Sequence, residues 1–190
     1  MLTIAWDVDD VLNNLAYEWL NYFCKKYNKK ISYEDLVINP PCEIIGVSRE
    51  EYSASLDEFR LSEAALNMEP DKNILCWMEK SGNKFHHIAL SATSAQTARN
   101  GAYWVMKNFY KYIHSYNIVP SYRANDKVLR PFQNKGEFIE SLKFVDVLVD
   151  DNEHNIKDAV SAGAQGFLVK RPWNKGGLEI PEILEKLERL

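Results

Sequence analysis

The sequence predicts an α/β fold: a Rossmann-like, three-layer parallel sheet with a small helical cap inserted after the first strand. Three observations lead there. Over residues 71–190, apolar runs of strand length alternate with segments of helical period. Residues 15–70 carry helical patterns and no convincing strand. Two apolar runs end in clustered acids, Asp7-Val8-Asp9 and Asp150-Asp151. Strands alternating with helices imply parallel pairing with helices on both faces. A helical block between the first strand and the next strand–helix unit then covers the C-terminal edge of the sheet, where open α/β folds bind ligands. The expected division is a core of residues 1–14 and 71–190 and a cap of residues 15–70.

The elements follow in order. Residues 2–8 form the first strand. Leu15, Trp19, Leu20, Phe23 and Tyr27 recur at helical spacing, so a helix runs over 15–27. Asn39-Pro40-Pro41-Cys42 breaks regularity. Ser48 with Glu51 three residues on is a capping box, and short helices follow over 48–66. A helix over 71–80 closes at Ser81-Gly82-Asn83. Residues 85–92 are a strand and 94–113 a long helix, whose Ala98, Ala102, Val105, Met106, Phe109 and Ile113 face reads as core. A short strand is expected at 118–122, a helix at 135–142, a strand at 144–149 and a helix at 155–162 ended by Gly163. A strand at 166–170 and an amphipathic helix at 180–190, started by Pro181, complete the chain.

The totals narrow the function classes. A chain of 190 residues fits one domain with a small insertion, and 46% apolar residues suffice for a core. Net charge is -4, with an isoelectric point near 5.6. That argues against long nucleic acid as a partner but leaves room for a small phosphorylated ligand held by a local positive site. Cys24, Cys42 and Cys76 are far apart and odd in number, which reads as reduced thiols of a cytoplasmic protein. Asp7 interrupts the N-terminal apolar run too early for a signal peptide, and no run approaches the length of a membrane span. The oligomeric state is left open.

The chemistry concentrates at strand ends. Side chains alternate along a strand, so Asp7 and Asp9 are expected to point the same way at its tip. Two adjacent carboxylates are tolerated best with a cation between them or a proton on one. The second cluster, Asp150 and Asp151, ends another strand of the same expected sheet. Mg²⁺ takes few carboxylates along with water and phosphate oxygens. Asp7, the backbone carbonyl of Asp9, and Asp151 would supply that number, with Asp150 behind them or as an alternative ligand. No glycine turn follows Asp9, which rules out a calcium loop. Ser91, ending the strand at 85–92, is placed to donate to a phosphoryl oxygen. Lys135 opens the helix before the acidic strand and would reach the same edge, with Lys127 and Lys143 as rivals. His86 and His87 face opposite sides, and with His114 and His154 they make no zinc spacing.

Asp7-Val8-Asp9, Ser91, Lys135 and Asp150-Asp151, in this order and at strand ends, resemble the haloacid dehalogenase superfamily over nearly the whole chain. Within it the sequence looks most like the 5'(3')-deoxyribonucleotidase-like group. A helical cap falls between the first two motifs, the late acids read Leu148-Val149-Asp150-Asp151, and Arg171-Pro172-Trp173-Asn174 follows the next strand. The sequence departs from the pattern at Asp10, where the family often has glycine, and at Asn14, where it often has an acid. The resemblance implies a Mg²⁺-dependent phosphatase acting on a small phosphorylated substrate, nucleoside monophosphates among the candidates. Asp7 would be the nucleophile and Asp9 the general acid and base, while Ser91 and Lys135 would hold the phosphoryl group. Asp7, Asp9 and Asp151 would hold the metal. A phosphotransferase of the same fold and a non-catalytic binding protein on this scaffold are the competing readings.

Overall fold

A computed structural model describes residues 1–123 and 127–190. Its centre is a sheet of five parallel strands: β1 Thr3–Trp6, β2 His86–Ser91, β3 Ile113–Ile118, β4 Val147–Asp150 and β5 Gln165–Leu168, in the order β3-β2-β1-β4-β5. Every residue of β1 is buried, as expected of a central parallel strand covered on both faces. Its register sets Trp6 beside Ala89 of β2 and Val149 of β4. The C-terminal tips of β1, β2 and β4 therefore meet at one edge.

Alternation along β1 divides the core. Ile4 and Trp6 pack on α5 (Lys72–Ser81), α6 (Ala98–Phe109) and α9 (Ile180–Leu187), through Ile74, Val105 and Leu184 among others. Ala5 faces the other way, toward Phe138 and Ile139 of α7 (Lys135–Leu142) and Ala159 of α8 (Glu153–Ser161). These are the three layers. His87 of β2 is buried on the Trp6 side, with Nδ1 accepting from Trp6 Nε1 at 3.0 Å and Nε2 meeting the Gly82 carbonyl at 2.8 Å. Burial lowers its pKa, and it is a core histidine. His86 is exposed on the opposite face.

Between β1 and β2 lie α1 (Leu15–Tyr27), α2 (Cys42–Ile45), α3 (Arg49–Arg60) and α4 (Glu63–Leu66). They bury a hydrophobic cluster of their own, in which Trp19, Leu20 and Phe23 of α1 meet Leu56 and Phe59 of α3. This is the helical cap. Ser48 and Glu51 form the expected capping box on α3, and Asp71 caps α5 through the Asn73 and Ile74 N–H groups. The cap is tied to the core by polar contacts. Asn100 donates to the Arg60 carbonyl, Trp104 Nε1 donates to the Met68 carbonyl, and Arg123 grips Asp57 through two bonds of 2.7 and 2.8 Å. No described helix is long and apolar enough to cross a membrane, and the three cysteines are unpaired.

The third strand is not where the apolar pattern suggests. It spans Ile113–Ile118 rather than 118–122, and the preceding helix covers Ala98–Phe109 rather than 94–113. Ile113 fits a helical stripe and a strand equally well. Pairing with His87 decides the matter and buries it fully. At the other end Ser94–Thr97 form a turn, with the Ser94 carbonyl accepting from Thr97 and Ala98.

One glycine sets how close two helices come. A Cβ on Gly136 of α7 would lie 2.7 Å from the Asp158 carbonyl oxygen of α8. Alanine favours a helix interior by about 1 kcal/mol over glycine, but a backbone clash costs about 1–3 kcal/mol, so the clash wins. Gly136→Ala should lower the thermal midpoint by about 2–8 °C. An unchanged or raised midpoint by calorimetry would show that α7 and α8 are not locked at this distance.

Candidate active site

Asp7 is the first residue past β1, and its N–H continues the ladder to the Val149 carbonyl at 2.9 Å. The chain then turns sharply. Asp10 adopts φ +62°, the left-handed region that glycine enters freely and that Asp and Asn tolerate better than most residues. That conformation explains an aspartate at a position where glycine is common. Its carboxylate is also used: Oδ1 accepts from the Ala16 N–H at 2.9 Å and caps α1. Buried there, Asp10 has its pKa pushed up to about 7 by desolvation. Asn13 finishes the turn, accepting from the N–H groups of Asp10 and Leu15.

This turn separates the two acids that strand alternation puts side by side. The strand ends at Trp6, so the two-residue period does not extend to Asp9. Asp7 Oδ1 accepts from the Val8 N–H at 2.8 Å and lies 2.8 Å from Lys135 Nζ. Asp9 reaches the cap instead, with Oδ2 2.7 Å from Arg60 Nη2. Each carboxylate has its own cation, and both line one cavity.

The tip of β4 completes the arrangement around Asp7. Asp150 is fully buried and saturated: Lys135 Nζ at 2.6 Å, the Asn152 N–H at 2.9 Å and the Asn155 amide at 3.0 and 3.1 Å all engage it. Asp151 accepts from Trp173 Nε1 at 2.8 Å through Oδ2. Oxygens of Asp7, Asp150 and Asp151 lie within 4.8 Å of one another, all buried. Desolvation, reinforced by the neighbouring carboxylates, raises Asp7 and Asp151 well above the usual range. Burial opposes the charge on Lys135, but Asp150 and Asp7 outweigh it and raise its pKa. Three buried carboxylates against one lysine leave the cluster short of positive charge. All-oxygen donors with that deficit suit a hard divalent cation.

Lys135 is thus the lysine that meets Asp7, while Lys127 and Lys143 are exposed. Ser91 is buried at the end of β2. With Tyr116 of β3 it lines a smaller cavity of about 30 Å³ and not the larger one, where its neighbour Ala92 appears. Asp9 and Arg60 line both.

The Arg171–Asn174 segment clasps both acidic strand ends. Arg171 Nε donates to the Asp10 carbonyl at 2.8 Å, and the Asn174 amide donates to the Asp151 carbonyl at 2.6 Å. Trp173 holds the Asp151 side chain and packs edge-on against Tyr33 of the cap segment. Residue patterns do not reveal Arg60, Asn155 or Tyr116 as parts of the site. Asn155 carries a faint signal, three residues after the helix-capping Asn152; Arg60 and Tyr116 carry none.

The larger cavity, about 270 Å³, lies between the strand ends and the cap. Its floor holds Asp7, Asp9 and Asp151, and its cap wall is a stripe of α3: Arg49, Tyr52, Ser53, Leu56 and Arg60. Trp19 of α1 adds a second aromatic surface.

No protein-family model and no curated protein matches the sequence. Solved structures match over essentially the whole chain. A haloacid dehalogenase-like hydrolase from Streptococcus pneumoniae superposes with a TM-score of 0.63 at 13% identity, covering 97% of this chain and 90% of that one. A predicted phosphatase from Clostridium acetobutylicum gives 0.63 at 14% identity, covering 100% and 99%. A Bacillus subtilis protein described as a HAD-hydrolase, solved bound to magnesium, gives 0.58 at 12% identity, covering 99% and 97%. These likenesses do not single out the nucleotidase-like group. The fold of this chain is that of the haloacid dehalogenase-like hydrolases and phosphatases.

Proposed function

We propose that this protein is a magnesium-dependent phosphomonoester hydrolase working through an aspartyl-phosphate. The observation that carries the reading is Asp7 itself. It is a buried carboxylate at the tip of the central strand, anchored by Lys135, grouped with Asp150 and Asp151, and set in the floor of a cavity. Both donors to Asp7 engage Oδ1, which leaves Oδ2 for in-line attack on phosphorus. Asp9 in its acid form would give its proton to the departing oxygen as the P–O bond breaks, and the resulting carboxylate would take a proton from the water that hydrolyses the aspartyl-phosphate. Lys135 holds Asp7 in position and offsets part of the charge on the phosphoryl group. Ser91, next to Ala92 of the cavity wall, would supply a hydroxyl donor to the phosphoryl group.

Asp7, Asp151 and the Asp9 carbonyl would hold the metal, with Asp150 saturated behind them. A Mg²⁺ ion held by these residues would neutralise charge on the transferring group. The magnesium found in the Bacillus subtilis neighbour agrees with this choice. The cap covers the cavity and selects the alcohol. Its Trp19 and Tyr52 surfaces suit a substrate with a planar or apolar part, so nucleoside monophosphates stand first in a screen that also includes sugar phosphates and small phosphorylated metabolites. Three unpaired thiols suit a reducing compartment, in keeping with the cytoplasm.

Phosphate release should require Mg²⁺, stop with EDTA and resume when Mg²⁺ is returned. Acceptor alcohols should leave the yield of free phosphate unchanged; transfer to the acceptor would mark a phosphotransferase. Asp7→Asn should lower kcat by about four orders of magnitude or more while the protein stays folded by circular dichroism. Retained turnover would remove Asp7 as nucleophile. Trp173→Phe deletes the donor to Asp151 and should raise the Mg²⁺ concentration for half-activity by about 10–100-fold, with Asp151→Asn at least as severe. An unchanged metal response in both would exclude Asp151 as a ligand.

A further inference from the structure

Lys135 is fully buried beneath Asp7 and does not line the larger cavity. Among the described residues, the cations that line it are Arg49, Arg60 and Arg123. Arg123 is engaged by Asp57 through two bonds. Arg49 is exposed at the start of α3. Arg60 alone touches the acidic pair.

The Arg60 guanidinium is only partly used. Asp9 takes one contact, from Nη2 at 2.7 Å, and Asp57 Oδ1 stands at 3.4 Å from Nη1. Its Nε is buried and has no hydrogen-bond partner. A buried guanidinium donor without an acceptor is unfavourable and calls for an explanation. Arg60 and Asp9 also stand where the two cavities adjoin, with Ser91 and Tyr116 on the far side. An acceptor arriving between Asp7 and Asp9 would meet this arginine from the cap side.

We propose that Arg60 is a binding residue for the phosphoryl group, exchanging its single contact with Asp9 for two phosphoryl oxygens. This rests on the phosphatase reading above. A guanidinium edge matches two oxygens of a phosphate, whereas Arg60 meets Asp9 through one short contact and Asp57 only at 3.4 Å. Arg60 ends α3, so the exchange also ties the cap to the bound group. It frees the Asp9 carboxyl to turn toward the leaving alcohol.

The test is inorganic phosphate binding by calorimetry in the presence of Mg²⁺, alongside KM and kcat for the best substrate of the screen. Arg60→Ala should weaken phosphate by about tenfold or more and raise KM, with guanidinium ion in solution restoring part of the loss. Arg60→Lys keeps the charge but not the fork and should fall between. Asp9→Asn should bind phosphate as well as the unaltered protein or better, because Arg60 is then free. If Arg60 served only to anchor Asp9, the two variants would lose phosphate affinity alike, and that result overturns the proposal. So does unchanged affinity in Arg60→Ala while the unaltered enzyme hydrolyses phosphomonoesters. An unaltered protein that neither hydrolyses them nor binds phosphate overturns the phosphatase reading itself.

Discussion

Lys135 carries its charge in a place that water does not reach, and the site is built around that fact. Removing an ammonium from water costs several kcal/mol, and the cost is met only by close opposite charge with good geometry. Asp7 at 2.8 Å and Asp150 at 2.6 Å supply it. The requirement reaches far into the fold. Lys135 opens α7, which Asn134 caps and which Gly136 lets settle against α8. Asn155 of α8 and the Asn152 N–H hold the other side of Asp150. Removing the lysine would leave buried carboxylates facing one another, a loss of about 3–5 kcal/mol for a broken buried pair.

The lysine does not neutralise the cluster, and that shortfall carries the functional argument. With Asp151 added, three carboxylates share one ammonium, and burial, with repulsion among the carboxylates added to it, raises the pKa of Asp7 and Asp151. A purely structural ion pair would gain nothing from the third acid. The chain nevertheless spends Trp173 and Asn174 on holding Asp151 in place by side chain and carbonyl. Such an investment suits a site that acquires its missing positive charge from a bound cation.

Much of this was legible in the sequence because strand-end chemistry is local. Asp7 and the Asp150-Asp151 pair stand out as acids closing apolar runs, and parallel α/β logic brings such ends together. The parallel sheet and the helical insertion follow from the same patterns. Three kinds of detail were not legible. Ile113 satisfies two periodicities, and only its pairing with β2 decides between them. The divergence of Asp7 and Asp9 arises because the strand ends at Trp6 and the chain turns from Val8 on, which alternation rules cannot foresee. Arg60 lies 51 positions from Asp9 in another layer, on a helix whose pattern reads as an ordinary amphipathic surface.

The divergence matters more than the proximity it replaces. Asp7 is bound to the core through the β4 ladder and Lys135, so its position is independent of the cap. Asp9 is bound to the cap through Arg60, so its position follows the cap. In the proposed reaction Asp7 is the nucleophile and needs a fixed line of attack, which its contacts with the core provide. In the same proposal Asp9 serves first the leaving alcohol and then water, and its side-chain partner Arg60 belongs to the cap. Two carboxylates held by one rigid strand tip would share a single field and a single orientation. Splitting their partners between two layers lets one stay fixed while the other responds to what occupies the cavity.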